Sequence, residues 1–264
     1  MVRYLPVFAL VRGLILTTLF CVGCSAIAAE ARIAVAANFR DTAMAIAAQL
    51  EAKSPHRYEV VVGSTGKLAS QIINGAPFDV FMAADRRRPQ QLVDRGLALA
   101  ASEQIYAVGE LGLWWPNNGP NSPALEALAT LEPRSVCVAN PAFAPYGEAA
   151  WELLQRAGLD VDWLKSVVRV DNVNLVAGLI AQGQVRAGFV ARSSLIAGKR
   201  QGTVAAADGD VLWFAEQAPV DQAMVLLMRA ETNVAAQHWV QQMQTPSIRE
   251  LIQRDGYRVS VKQD

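Results

Sequence analysis

Short apolar segments that lead directly into helical patterns recur along this 264-residue chain, and this alternation restricts its fold more than any other feature. The first is an apolar run around Ile33 and Val35, followed by a helical pattern that continues to Leu50. Further apolar runs that we predict to be strands lie at 58–62, 136–139, 167–170 and 187–191. Strands that alternate with helices are typical of α/β proteins with largely parallel sheets.

Small polar residues follow several of these strands. Asn38, Thr65, Tyr146 and the pair Asn172-Val173 all lie where a predicted strand gives way to a helix. Ligands of open α/β sheets bind beyond the carboxyl ends of the strands, and unpaired N–H groups at a helix start attract anions. The simpler interpretation is that such residues only cap their helices. Asn38 would then cap the first helix, and Ser64 or Thr65 would cap the next one. No nucleophile–base pair or pair of facing carboxylates is found among them, so the pattern indicates recognition and not an enzyme.

Composition excludes some other classes of partner. Lysine plus arginine and aspartate plus glutamate number 24 each, so the chain carries no excess of positive charge. We therefore expect no nucleic-acid partner. Apolar residues make up 52% of the chain, which is enough for a globular protein with one or two sizeable cores.

The N-terminus is typical of an export signal. Arg3 and Arg12 precede an apolar run that ends near Gly23, and small residues follow. We predict a signal peptide over residues 1–28 and a periplasmic location, with release of a soluble protein at an A-x-A site. The alternative is lipid attachment at Cys24, because residues 21–24 loosely resemble a lipoprotein box.

Cysteine and histidine usage argues against metal or thiol chemistry. Removal of the signal would leave Cys137 alone in an apolar run, where an inert core position is the expected role. His56 and His238 are the only histidines, and neither belongs to a metal-type cluster. We therefore expect no cofactor and no protein ligand bonded directly to a metal.

Five short motifs together resemble the periplasmic molybdate-binding proteins of ABC importers. They are V-A-A-N-F at 35–39, G-S-T-G at 63–66, N-G-A-P at 74–77, A-P-Y-G at 144–147 and G-F-V at 188–190. A D-V-F run at 79–81 and an A-D pair at 84–85 extend the match. The resemblance covers nearly all of the chain after the predicted signal.

This resemblance implies an α/β, two-lobed periplasmic binding protein of type II. Each lobe would hold a mainly parallel sheet flanked by helices, with the ligand cleft between the lobes. We expect residues 30–108 plus 222–264 to form lobe I and residues 109–221 to form lobe II. The two crossings would lie near 106–113 and 220–225, and a hinge there would let the lobes close.

The resemblance also implies a ligand and its contacts. Molybdate or tungstate would be held through the oxyanion by Ala37, Asn38, Thr65, Tyr146 and Val173, and passed to the membrane permease subunit of an ABC transporter. We expect the binding protein itself to be a monomer. One donor of the family is missing. In one branch of the family, a tyrosine just after the last matched strand donates its hydroxyl to the oxyanion, and Ala191 is at that position here.

Three other interpretations remain open from the sequence. The ligand could be another tetrahedral oxyanion, such as sulfate or thiosulfate. A periplasmic hydrolase using Ser64 and Asp79 is a second alternative, although no histidine lies near Ser64 in the pattern. The effector domain of a transcription regulator shares this fold, but the export signal argues against it.

Overall fold

The computed structural model describes residues 28–116, 124–205 and 210–259. The predicted signal up to residue 27 lies outside the described residues, and so does Cys24. Among the helices that are described, none is long and apolar enough to cross a membrane.

The described residues form two five-stranded sheets, and the first has the strand order β2-β1-β3-β10-β4. Its strands are β1 Glu30–Ala36, β2 Arg57–Gly63, β3 Val80–Met82, β4 Gln104–Gly109 and β10 Val220–Leu226. The helices packed on it are α1 Arg40–Glu51, α2 Thr65–Ile73, α3 Arg87–Asp94, α8 Val234–Gln242 and α9 Pro246–Arg254. Side chains of β1 alternate between two cores, with Ile33 and Val35 in one and Ala34 in the other.

The second sheet has the order β7-β6-β8-β5-β9. Its strands are β5 Leu111–Trp114, β6 Val136–Ala139, β7 Val168–Val170, β8 Ala187–Ala191 and β9 Val211–Trp213. Helices α4 Pro145–Arg156, α5 Val161–Ser166, α6 Val173–Ala181 and α7 Arg192–Gln201 cover it. Every residue of β6 and β8 is buried, which explains their uninterrupted apolar sequences. Cys137 lies in this core, and burial raises the pKa of its thiol to about 12.

We call each sheet, together with the helices that pack on it, a lobe. The expected two-lobed α/β architecture is present, and both sheets are mixed. In each sheet two of the four pairings are parallel, and the other two are antiparallel. All antiparallel pairings involve a single strand in each sheet, β10 in the first and β5 in the second, and both strands lie at passages of the chain between the sheets.

The apolar run near 106–115 is divided between the two sheets. The first sheet takes β4, which ends at Gly109, and the second takes β5, which begins at Leu111. Only Glu110 separates them, and its carboxylate pairs with Arg192 of α7 at 2.5 Å. Near the C-terminus, Arg258 exchanges two backbone hydrogen bonds with Val108, so a further segment lies against this passage.

Candidate functional site

A small cavity lies between the two sheets, where strand ends from both meet. Its free volume is about 10 Å³, about the space that one water molecule needs, so the two lobes leave little room there. None of the described residues that line it carries a charge. The uncharged lining suits a small ligand that is held by hydrogen bonds.

All five residues predicted to hold the ligand line this cavity: Ala37, Asn38, Thr65, Tyr146 and Val173. The first lobe supplies the residues that follow β1 and β2, and the second lobe supplies those that follow β6 and β7. Each of these four strands has a parallel partner, so their carboxyl ends lie at the facing edges of the two sheets.

Three helices begin at the cavity: α2 at Thr65, α4 at Pro145 and α6 at Val173. The first N–H groups of a helix have no partner within the helix, and the helix dipole makes this end partly positive. At α6 the side chain of Asn172 accepts hydrogen bonds from the backbone N–H groups of Asn174 and Leu175. The cap therefore uses the second and third amides of the helix and not that of Val173.

The hydroxyl of Thr65 is oriented by a contact inside its own lobe. Thr65 is only 1% exposed, and its Oγ1 accepts a hydrogen bond from the backbone N–H of Ala84 at 3.1 Å. A hydroxyl has one hydrogen and two acceptor positions. Because Ala84 occupies an acceptor position, the hydrogen of Thr65 is left to donate.

Asn38 does not cap a helix, so the capping interpretation of this residue is wrong. It lies inside a short 3-10 turn, Ala37–Phe39, and Phe39 precedes α1 without a side-chain cap. The Nδ2 group donates instead to Gln222 at 2.8 Å and to the Tyr257 hydroxyl at 3.0 Å. Both amide hydrogens are then used, which leaves the backbone N–H as the donor that Asn38 offers to the cavity.

Tyr146 has its hydroxyl buried without a hydrogen-bond partner among the described residues. A Cβ built on Gly109, at the end of β4, would overlap this hydroxyl. Burial raises the pKa of Tyr146 well above its usual range, with nearby Tyr257 adding to the shift. The hydroxyl therefore stays protonated and faces the chain passage at Gly109, while the start of α4 presents the backbone N–H of Tyr146.

Ser64 also lines the cavity, although the sequence suggested it only as a helix cap or a hydrolase nucleophile. It has the N-cap position of α2, yet its side chain makes no capping hydrogen bond. Its Oγ is buried and has no partner among the described residues. A sequence signal for it existed, namely two consecutive hydroxyl residues at a helix start, but their roles could not be separated.

The geometry is unfavourable for hydrolysis. No histidine or carboxylate is among the described residues that line the cavity, so Ser64 has no general base. Asp79 is engaged elsewhere, where it accepts from the backbone N–H of Arg32 and pairs with Arg229 at 2.5 Å. His238 contacts the hydroxyl of Tyr58 at 2.6 Å, in the first lobe.

The charged side chains near the cavity lie outside its lining. Lys67, two residues after Thr65, pairs with Asp171 of the other lobe at 2.5 Å. Its ammonium also lies 5.8 Å from the centre of the Phe143 ring. The lining itself offers N–H and O–H donors without a carboxylate, and a ligand that only accepts hydrogen bonds is matched by such donors.

An uncharged cavity between two α/β lobes, at the ends of strands and the starts of helices, is the architecture of a solute-binding protein. A family model described as bacterial extracellular solute-binding protein matches residues 31–258. The chain belongs to this family, whose members are binding proteins and not enzymes, in agreement with the sequence prediction.

Two similar proteins of this class are named as molybdate-binding proteins. The molybdate-binding protein ModA of Azotobacter vinelandii is 35% identical over 234 residues, which cover 89% of this chain and 92% of the relative. ModA of Rhodobacter capsulatus is 34% identical over 235 residues, covering 88% and 89%. A solved structure, the Azotobacter vinelandii periplasmic molybdate-binding protein, has a TM-score of 0.75 and 29% identity, covering 88% of this chain and 100% of that one. These similarities confirm the resemblance and the fold that the sequence motifs predict.

Proposed function

We propose that this protein binds molybdate, and also tungstate, outside the cytoplasm and delivers it to the permease of an ABC transporter. The observation that carries the proposal is the cavity between the lobes, which all five predicted residues line and whose described lining contains no charged group. Two relatives at 34–35% identity over most of the chain are molybdate-binding proteins, which supports the choice of ligand. The protein would act as a monomer without a cofactor, after loss of residues 1–28.

The proposed donors are main-chain N–H groups and one hydroxyl. Asn38, Tyr146 and Val173 would contribute backbone N–H groups, Ala37 belongs to the same turn as Asn38, and Thr65 would contribute its hydroxyl. Backbone amides at helix starts hold a doubly charged oxyanion without a counter-charge. The metal atom would be held only through its oxygens.

Size would separate molybdate from the alternative ligands. Sulfate and thiosulfate offer the same acceptor chemistry, so the donor set alone does not reject them. A closed cavity of fixed width binds the larger tetrahedral ion well and leaves the smaller one with stretched hydrogen bonds. Molybdate and tungstate are nearly the same size, and we expect both to bind.

Calorimetry on the protein beginning at residue 29 tests this proposal, with molybdate, tungstate, sulfate and phosphate as ligands. We expect molybdate and tungstate to bind tightly and the other two weakly. Thr65→Val keeps the shape and removes the hydroxyl, so it should weaken molybdate binding by about 10- to 100-fold, because a hydrogen bond to a charged group contributes about 1.5–3 kcal/mol. Thr130→Val removes an exposed hydroxyl outside the cavity lining and serves as the matched control.

Two results would count against the proposal. Equal affinity for sulfate would keep the oxyanion class and remove molybdate as the ligand. No binding of any of the four oxyanions would show that the fold is shared and the function is not.

A further inference from the structure

Ser64 is a buried serine at the N-cap position of α2 whose side chain does not cap the helix. A serine at the N-cap normally accepts a hydrogen bond from the second or third amide of its helix. Ser64 has extended backbone angles, φ −71° and ψ 142°, which suit an N-cap, but its side chain accepts no such bond. The residue is 5% exposed, so water does not replace the missing partner freely.

An unpaired buried hydroxyl is unfavourable, and this one is located where a ligand would pair it. Among the described residues, two hydroxyl groups are buried without a partner, those of Ser64 and Tyr146, and both belong to residues lining the same cavity. The Tyr146 hydroxyl lies against Gly109. A buried polar group left unpaired destabilises the fold, and a ligand in the cavity would supply the partner that the Ser64 hydroxyl lacks.

We infer that the hydroxyl of Ser64 donates a hydrogen bond to the bound oxyanion, next to the hydroxyl of Thr65. The inference rests on the proposed function, because it needs a ligand that accepts hydrogen bonds. Tetrahedral oxyanions have acceptor oxygens only, so the hydroxyl serves as the donor. Two consecutive residues at the start of α2 then supply two hydroxyl donors.

The test compares Ser64→Ala with Ser193→Ala, in ligand-free stability and in molybdate affinity. Ser193 is buried to a similar degree, 6% exposed, but its Oγ has partners, the carbonyl of Asn38 at 3.1 Å and the hydroxyl of Tyr257 at 2.9 Å. Loss of an unpaired hydroxyl removes a penalty, whereas loss of a paired one leaves partners unsatisfied. We therefore expect the ligand-free melting temperature to stay the same or rise in Ser64→Ala and to fall in Ser193→Ala.

Molybdate affinity provides the decisive measurement. Ser64→Ala should bind molybdate about tenfold or more weakly, since a charge-assisted hydrogen bond is lost. Ser64→Thr retains the hydroxyl and should recover most of the affinity. Full affinity in Ser64→Ala, with a lowered ligand-free melting temperature, would overturn the inference and leave the proposed function intact. Failure of the unmodified protein to bind any oxyanion would instead overturn the proposed function.

Discussion

At the scale of single residues, hydrogen bonds to neighbouring residues fix the side chains that line the cavity. Asn38 has its amide hydrogens engaged by Gln222 and Tyr257, and Thr65 has one acceptor position occupied by the Ala84 amide. Fixed side chains of this kind do not have to be ordered when a ligand arrives, which lowers the entropic cost of binding. The site therefore depends on neighbours that never touch the ligand.

Gly109 is one such neighbour. We expect Gly109→Ala to lower the free energy of unfolding by about 1–3 kcal/mol, because overpacking a filled site forces side chains from their positions. The added Cβ would overlap the Tyr146 hydroxyl and lie 3.0 Å from ring atom Cζ. Denaturant unfolding of Gly109→Ala, Tyr146→Phe and the double variant measures the coupling.

Tyr146→Phe removes the overlapping hydroxyl and serves as the control in this cycle. It should leave molybdate affinity unchanged, because the proposed donor of Tyr146 is its backbone N–H. The double variant should recover part of the lost stability. If the changes in the free energy of unfolding were strictly additive, the Gly109→Ala side chain would not clash with the Tyr146 hydroxyl.

At the scale of elements, helix starts and the charges beside them determine how an anion approaches. Lys67 lies in the first turn of α2, and its partner Asp171 directly precedes the Asn172 cap of α6. Both side chains are substantially exposed, at 44% and 60%. An exposed ion pair adds little stability, so its effect is expected in the rate of ligand association.

We predict that Lys67→Met slows molybdate association by about two- to fivefold at low ionic strength, because a positive charge near the entrance attracts the anion. The difference should disappear at high ionic strength, where salt screens exposed charges. Stopped-flow fluorescence at several salt concentrations measures this. Lys165→Met is the matched control, since Lys165 is an exposed lysine paired with Asp162 on α5, away from the cavity lining. Equal slowing at all salt concentrations would contradict an electrostatic role.

At the scale of the whole molecule, hydrogen bonds between the two lobes hold them together beside the cavity. The backbone N–H of Gly66 donates to the carbonyl of Phe143 at 2.8 Å, and Nδ2 of Asn174 donates to the carbonyl of Ala37 at 2.6 Å. Each bond joins one lobe to the other beside the cavity. Closure would remove water from the ligand and strengthen the donors around it.

We expect Asn174→Ala to weaken molybdate binding by about two- to tenfold without any direct contact to the ligand, because one interlobe hydrogen bond contributes about 0.5–1.5 kcal/mol. The loss should appear as faster dissociation. X-ray scattering should show a smaller radius of gyration on addition of molybdate, and a smaller change in the variant. Asn74→Ala is the control, since Asn74 bonds the carbonyl of Ser70 within one lobe. Equal effects of the two variants would contradict a role for closure.

Much of the fold follows from local sequence. The apolar runs at 136–139 and 187–191 are strands β6 and β8 with the predicted bounds, because four or five consecutive apolar residues are stable only where both faces are covered. Helix α6 begins after Asn172, where the sequence predicts a helix start, and the Asn172 side chain caps it. The lobe boundaries near residues 108 and 221 and the ligand roles of the five cavity residues stay predictions.

What the sequence by itself determined are the strand–helix junctions and the residue types at them, since both depend on neighbours a few positions apart. Tertiary structure alone decided how those junctions are used. Asn38 is held by Gln222 and Tyr257, 184 and 219 residues away, and so it orients a turn and does not cap a helix. Ser64 and Thr65 are adjacent hydroxyl residues, yet only Thr65 finds a partner, because Ala84 comes within reach only after β3 pairs beside β1. Contacts between distant segments set these roles, and no local pattern encodes them.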